Sequence, residues 1–195
     1  MWLLNACSWE MKDFLSQNET PPYAILSHTW GDEEVSFRDW HSEPWFQVQK
    51  KQGYGKIKSC CEQAIAEGLE WVWNKSSSAE LSEAINSMFQ WYANAVICYA
   101  YLSDVDQAAT EDKFTSSLAS CRWITRGWTL QELIAPPVVV FYSKDWHACG
   151  TRSQLSAALA AITLIDEPYL TGRPLRHASV AQRMSWASVK TVKYI

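Results

Sequence analysis

The chain is short of basic charge, of glycine and of long apolar runs. Lys plus Arg number 17 against 21 Asp plus Glu, a net charge of −4 at pH 7. That leaves no surplus to draw in a nucleic-acid backbone and no polybasic patch for an anionic membrane. No apolar run reaches the roughly 18 residues that a bilayer-spanning helix needs. The opening stretch, MWLLNACSWEMKDF, lacks the charged start and apolar core of a signal peptide. Its six cysteines (Cys7, Cys60, Cys61, Cys98, Cys121, Cys149) form no C-x-x-C pair, and no pair has a histidine at metal-ligand spacing. Free thiols, a cytoplasmic setting, no metal site and no required cofactor are the expectation. With 7 Gly and 7 Pro there is no repeat or low-complexity tract. G-x-S-x-G, H-E-x-x-H, Walker and G-x-G-x-x-G patterns are all missing, and the lone Gly53-Tyr54-Gly55 reads as a turn.

What remains is a chain of 195 residues, 48% hydrophobic and 19% charged, enough for one domain with its own core. A single domain over 1–188 with a short tail at 189–195 is expected. Tryptophan is abundant, 12 in all, so some indoles must be half-exposed and open to a partner or ligand.

Three apolar runs read as buried strands: Tyr23–Ser27, Ala95–Leu102 and Val138–Tyr142. A fourth, Glu70–Trp73, stops abruptly. Helices are expected over Lys56–Glu67 with Gly68 as C-cap, after a Ser77-x-x-Glu80 capping box (with Leu81, Ile85, Met88, Phe89 and Tyr92 on one stripe), and over Trp128–Ile134 until Pro136-Pro137. Gln154–Ile162 and Ser179–Val189 follow. Residues 104–120 read as a surface loop, and 32–54 as a loop with short helical turns. The alternation of strand and helix predicts an α/β fold with a mostly parallel sheet flanked by helices.

In such sheets ligands gather beyond the carboxyl ends of strands. Ser27-His28-Thr29-Trp30-Gly31-Asp32 follows the first strand, and Asn74-Lys75 the second. Ser103-Asp104 and Ser143–His147 follow the later ones. His28 reads either as a proton carrier or as a turn-capping side chain. Asp104 suits a ribose hydroxyl or an Asx-turn, and Ser27 is equally two-sided. In Arg126-Gly127-Trp128-Thr129-Leu130-Gln131-Glu132-Leu133, Trp128 and Glu132 share a helical face. A carboxylate beside an indole suits acid/base or oxocarbenium-stabilising work. The commoner arrangement is a partly exposed Glu132 paired with Arg122 or Arg126.

The runs YAILSHTWGDEEVSF, KSSSAELSEAINSMFQWYANAVICYAYLSDV, RWITRGWTLQELIAPPVVVFYSKDW and SVAQRMSWAS, in this order, resemble the motifs of the fungal heterokaryon-incompatibility (HET) domain. The resemblance implies a role in self/non-self recognition and in programmed cell death when unlike fungal cells fuse. The HET domain is in turn similar to the Toll/interleukin-1-receptor (TIR) fold, a flavodoxin-like sandwich. WTLQEL at Trp128–Leu133 is similar to the TIR stretch bearing the glutamate of NAD-cleaving members. On that resemblance Glu132 is the catalytic residue of an NAD glycohydrolase. Ser27, His28, Trp30, Gly31, Asp104 and Trp128 line the ligand site, with Trp30 and Trp128 stacking on a base or nicotinamide ring. The chain departs from the family pattern in two places: about half a dozen residues after Trp71-Val72-Trp73 are absent, and the segment beyond Ser188 is cut short. A shortened ligand edge favours one alternative, a non-enzymatic, Trp-rich module that self-associates or binds a partner effector. A HET-like scaffold turned to secondary-metabolite chemistry is a further alternative, with no substrate signature in the chain.

Overall fold

A computed structural model of the chain describes residues 1–16, 18–74, 81–107, 111–127 and 129–188. Seven strands form one sheet in the order β2-β1-β4-β3-β5-β6-β7. They are β1 (Trp2–Asn5), β2 (Met11–Asp13), β3 (Tyr23–His28), β4 (Trp71–Asn74), β5 (Ile97–Tyr101), β6 (Val139–Tyr142) and β7 (Ala148–Thr151). The four inner strands, β4, β3, β5 and β6, are parallel to one another. Outside them β1 and β2 on one side and β7 on the other pair antiparallel. The fold is therefore α/β, and its parallel strands run second-first-third-fourth, the order of flavodoxin-type doubly wound sheets.

Nine helices are present among the described residues: α1 (Phe37–Ser42), α2 (Trp45–Val48), α3 (Gln52–Ala66), α4 (Leu81–Asn94), α5 (Glu111–Ser120), α6 (Thr129–Ile134), α7 (Ser156–Thr163), α8 (Glu167–Leu170) and α9 (Val180–Ser188). None is long and apolar enough to cross a membrane. Strand alternation sorts the core onto two faces. Tyr23, Ile25, Cys98, Ala100, Val139 and Phe141 pack with Met88 and Tyr92 of α4, Leu133 of α6 and Trp186 of α9. Ala24, Leu26, Val72, Tyr99 and Tyr101 pack with Ile57, Cys60, Cys61 and Ala64 of α3. Because β3 and β5 are buried on both faces, they read as unbroken apolar runs.

The helix expected from Lys56 begins earlier, at Gln52, so the glycine pair 53–55 opens α3 instead of forming a turn. Gly68, at φ +78°, closes it. The Gly68 N–H donates to the Ile65 carbonyl and the Leu69 N–H to the Ala64 carbonyl, a Schellman arrangement. Residues 104–120 are not simply a loop. They contain α5, whose Phe114 and Leu118, four apart, are buried in an otherwise polar helix. Strands β1, β2 and β7 and helix α8 also extend the expected pattern. In α4, Met88 and Tyr92 face the core while Phe89 is 38% exposed. The side chains of Leu81 and Ile85 and the Ser77-x-x-Glu80 box lie outside the described residues, as does the 189–195 tail.

Candidate functional site

The chain order 4-3-5 makes β3 the point where successive crossovers part to opposite faces. The crevice beyond its carboxyl end is the expected ligand position. β3 ends in Ser27 and His28, and alternation turns these two side chains to opposite faces. Each meets a buried carboxylate there.

On the α4/α6 face, Glu132 is 1% exposed. The Ser27 hydroxyl donates to its Oε2 at 2.5 Å, and the Trp123 indole N–H donates to Ser27 Oγ at 2.7 Å. The Tyr92 phenol is pushed well up, first by burial and then by the charge of Glu132, with a hydrogen bond to Ser27 opposing. Local chemistry aims α6 at this point. Thr129, fully buried at the first helical position, donates from its hydroxyl to the Trp123 carbonyl and so folds the 122–127 turn under the helix start. At the other end Arg152, also buried, holds the carbonyls of Leu133, Pro136 and Pro137. The expected surface ion pair with Arg122 or Arg126 is not formed. Those arginines instead tie the 122–127 turn to the end of β3. Arg126 Nη1 donates to the His28 carbonyl at 2.8 Å and Arg122 Nη2 to the Trp30 carbonyl at 3.3 Å. The reason is geometric: Glu132 points inward from α6 to the sheet, while the arginines sit on the turn before it.

On the α3 face, His28 is 5% exposed. Its Nε2 lies 3.5 Å from Glu34 Oε2. Glu34 also pairs with the Lys56 ammonium and accepts from the Gly31 N–H at 2.7 Å. Gly53 permits this approach. A Cβ there would come within 2.6 Å of Glu34 Oε2 and 2.9 Å of Glu34 Cα. Burial works to raise the Glu34 carboxyl. The His28 ring, Lys56 and the Gly31 N–H outweigh it and hold the group at about 2. Burial pulls His28 below its ordinary value, helped by the charges of Lys56 and Arg126 and opposed by Glu34.

These two shifts have the same sign for stability. A neutral His28 in the fold binds fewer protons than the unfolded chain once pH falls below 6.5, the ordinary histidine value. A depressed Glu34 does the same below 4.5 and down to about 2. Stability is therefore full above pH 7 and falls on acidification, by at most about 1.4 kcal/mol per pH unit for each group. Melting curves between pH 7 and pH 5 are expected to fall for the wild type and to flatten for His28→Gln. Parallel slopes in the two proteins would remove His28 as the cause.

Of the residues expected at the site, Ser27, His28 and Glu132 thus converge on one strand end, but on two faces of it. Trp30 is half-buried and engaged through its carbonyl, and exposed Gly31 contributes an N–H to Glu34. Asp104 is exposed and accepts from the Arg122 N–H at 2.8 Å, anchoring the 122–127 turn instead of starting an Asx-turn. Trp128 lies outside the described residues. The indole that does reach Glu132 through Ser27 is Trp123, fully buried and edge-on to Phe141 at 5.5 Å. It stands in the same Trp-rich run, where local pattern alone does not single it out. Glu34, Lys56, Thr129 and Arg152 also escaped sequence reasoning, because the partner of each is set by the folded arrangement and not by a local pattern.

All six cysteines are free. Burial keeps Cys60, Cys61 and Cys98 as thiols, with Cys61 pushed up to about 12. No group of three or more His, Cys, Asp or Glu able to hold a metal exists among the described residues. A separate aromatic cluster of Trp9, Trp40, Trp45 and Tyr54, with ring centroids 5.3–6.1 Å apart, covers the outer side of the α3 face.

Comparison with known proteins returns the vegetative incompatibility protein HET-E-1 of Podospora anserina, 44% identical over 184 residues and 88% of this chain. The chain is HET-related. It spans 13% of the length of HET-E-1, so the kinship concerns one portion of that protein. No family model and no solved structure matches this HET-related chain.

Proposed function

We propose that this HET-related domain is an effector of vegetative incompatibility, the self/non-self response in which unlike fungal cells die, and that it acts by cleaving the nicotinamide–ribose bond of NAD. The observation carrying the reading is the buried carboxylate of Glu132, held by the Ser27 hydroxyl at the switch point of a doubly wound sheet. The kinship with HET-E-1 supports the biological half. The likeness of WTLQEL to the TIR glutamate motif supports the chemical half.

In this reading the C1′–N bond breaks and its electron pair leaves with nicotinamide. Positive charge grows on the ribose, and Glu132 stabilises it. A dry, fixed carboxylate does so far better than one in water, because its field is unscreened and needs no reorganisation. Water then adds to C1′ and loses a proton, giving ADP-ribose. Ser27 and Trp123 orient Glu132 and do not touch the reacting atoms. Since Glu132 is buried, substrate reaches it only when the carboxyl end of β3 opens locally.

Nicotinamide release by the purified protein tests this. Glu132→Gln keeps an oxygen for the Ser27 hydroxyl and the same shape, so its melting temperature is expected to stay close to wild type. Turnover should drop roughly 10²–10³-fold, the size of effect seen when one preorganised electrostatic group is lost. A folded wild type that leaves NAD intact at high concentration, or a Glu132→Gln protein that still turns over, sinks the enzymatic reading. Trp45 and Phe46, 40% and 56% exposed at the aromatic cluster, favour a second reading as an interaction module. A stable complex without NAD turnover would select it.

A further inference from the structure

The α3-face cluster has no part in the chemistry assigned to Glu132, yet two polar side-chain atoms on consecutive residues at the end of β3 are unusual. His28 Nδ1 and Thr29 Oγ1 are both buried and have no hydrogen-bond partner among the described residues. His28 is 5% exposed and Thr29 9%. Leaving such atoms unpaired inside a protein is unfavourable. Both sit at the carboxyl end of the switch-point strand, where a ligand is expected.

The neighbours fix what these atoms can accept. Glu34 is an anion facing Nε2, so the ring proton belongs on Nε2 and Nδ1 presents a lone pair. Lys56 neutralises Glu34 from behind and also donates to the Thr29 carbonyl at 3.4 Å. Arg126 holds the His28 carbonyl. The backbone and the Nε2 side of the ring are thus committed, and Nδ1 remains as an acceptor with nothing to accept. Thr29 adds a hydroxyl able to donate or accept. An acceptor next to a two-way hydroxyl suits a ligand with hydroxyl groups and does not suit a phosphate, which brings only further acceptors.

We propose that His28 Nδ1 and Thr29 Oγ1, on consecutive residues at the carboxyl end of β3, form a hydroxyl-binding subsite for the ribose of a nucleotide ligand. The identity of the ligand rests on the NAD reading above. His28 and Thr29 hold the sugar and take no part in bond cleavage.

The two amide replacements of histidine separate binding from structure. Glutamine places its amide nitrogen where Nε2 lies, keeps the Glu34 contact and loses the Nδ1 acceptor. Asparagine keeps an oxygen near Nδ1 and loses Glu34. Calorimetric titration with ADP-ribose is expected to show roughly tenfold weaker binding for His28→Gln and Thr29→Val, the effect of one hydrogen bond. His28→Gln should melt like wild type at pH 7.5. His28→Asn should bind within about threefold of wild type while melting lower.

Equal affinity in wild type, His28→Gln and Thr29→Val overturns the subsite, as does a wild type that does not bind ADP-ribose. Nicotinamide release is scored separately. ADP-ribose binding that depends on His28 without turnover upholds the subsite and removes only the cleavage reading. Turnover with unchanged binding by the variants removes only the subsite.

Discussion

Arg152→Met is expected to lose about 3–5 kcal/mol of stability, a large part of what a domain of this size possesses. Arg152 is 6% exposed and has a carbonyl on every side: Nε to Leu170 at 2.9 Å, Nη1 to Leu133 at 2.7 Å and to Pro136 at 3.0 Å, and Nη2 to Pro137 at 3.1 Å. Leu133 lies in the last turn of α6 and Leu170 ends α8, so one cation joins the negative ends of two helices. Methionine fills similar space but leaves four carbonyls without this donor, three of them in buried contacts. For a chain this long the melting temperature should drop by roughly 10 °C. Arg152→Lys should recover less than half of the loss, because a single ammonium cannot span four acceptors as the planar guanidinium does. Thermal denaturation of the three proteins decides the matter. A methionine variant melting within about 2 °C of wild type would show that the clamp contributes nothing.

Trp123→Ala is expected to destabilise by a similar amount, about 3–5 kcal/mol, from the cavity left by a fully buried indole against Phe141. Trp123→Phe separates packing from polarity. It retains much of the ring contact and removes the N–H that donates to Ser27, so a loss of about 1–2 kcal/mol is expected. Urea midpoints of the two variants give the comparison. If phenylalanine is as damaging as alanine, the Ser27 bond outweighs the ring packing. If phenylalanine matches wild type, the indole N–H does not support the Ser27–Glu132 pair.

The inner sheet was readable because β3, β5 and β6 are apolar on both faces, which leaves an uninterrupted signal in the chain. The outer strands were not. β1, β2 and β7 have three or four residues each, too short for a run to stand out, even though Leu3 and Leu4 of β1 are buried on opposite faces. Helix α5 escaped for a related reason: Phe114 and Leu118 alone tie a polar stretch to the core. Glu132 could be singled out from WTLQEL, but not its burial. A carboxylate's depth depends on what faces it, and Ser27 lies 105 residues away in sequence. The pairing of His28 with Glu34 spans only six residues, yet it needs Gly53 and Lys56 of α3 to close it. No local pattern announces such a closure.

The strand from Tyr23 to His28 is enclosed on both sides along its whole length. Greasy side chains alone would tolerate its sliding by one position, since each face would still receive apolar groups. Ser27 and His28 forbid that, because a single step would present imidazole to Glu132 and hydroxyl to Glu34. The polar tip thus acts as an alignment key for the middle of the sheet. Residues there can be exchanged for others of like size, whereas adding or removing one would misdirect both acids at a stroke.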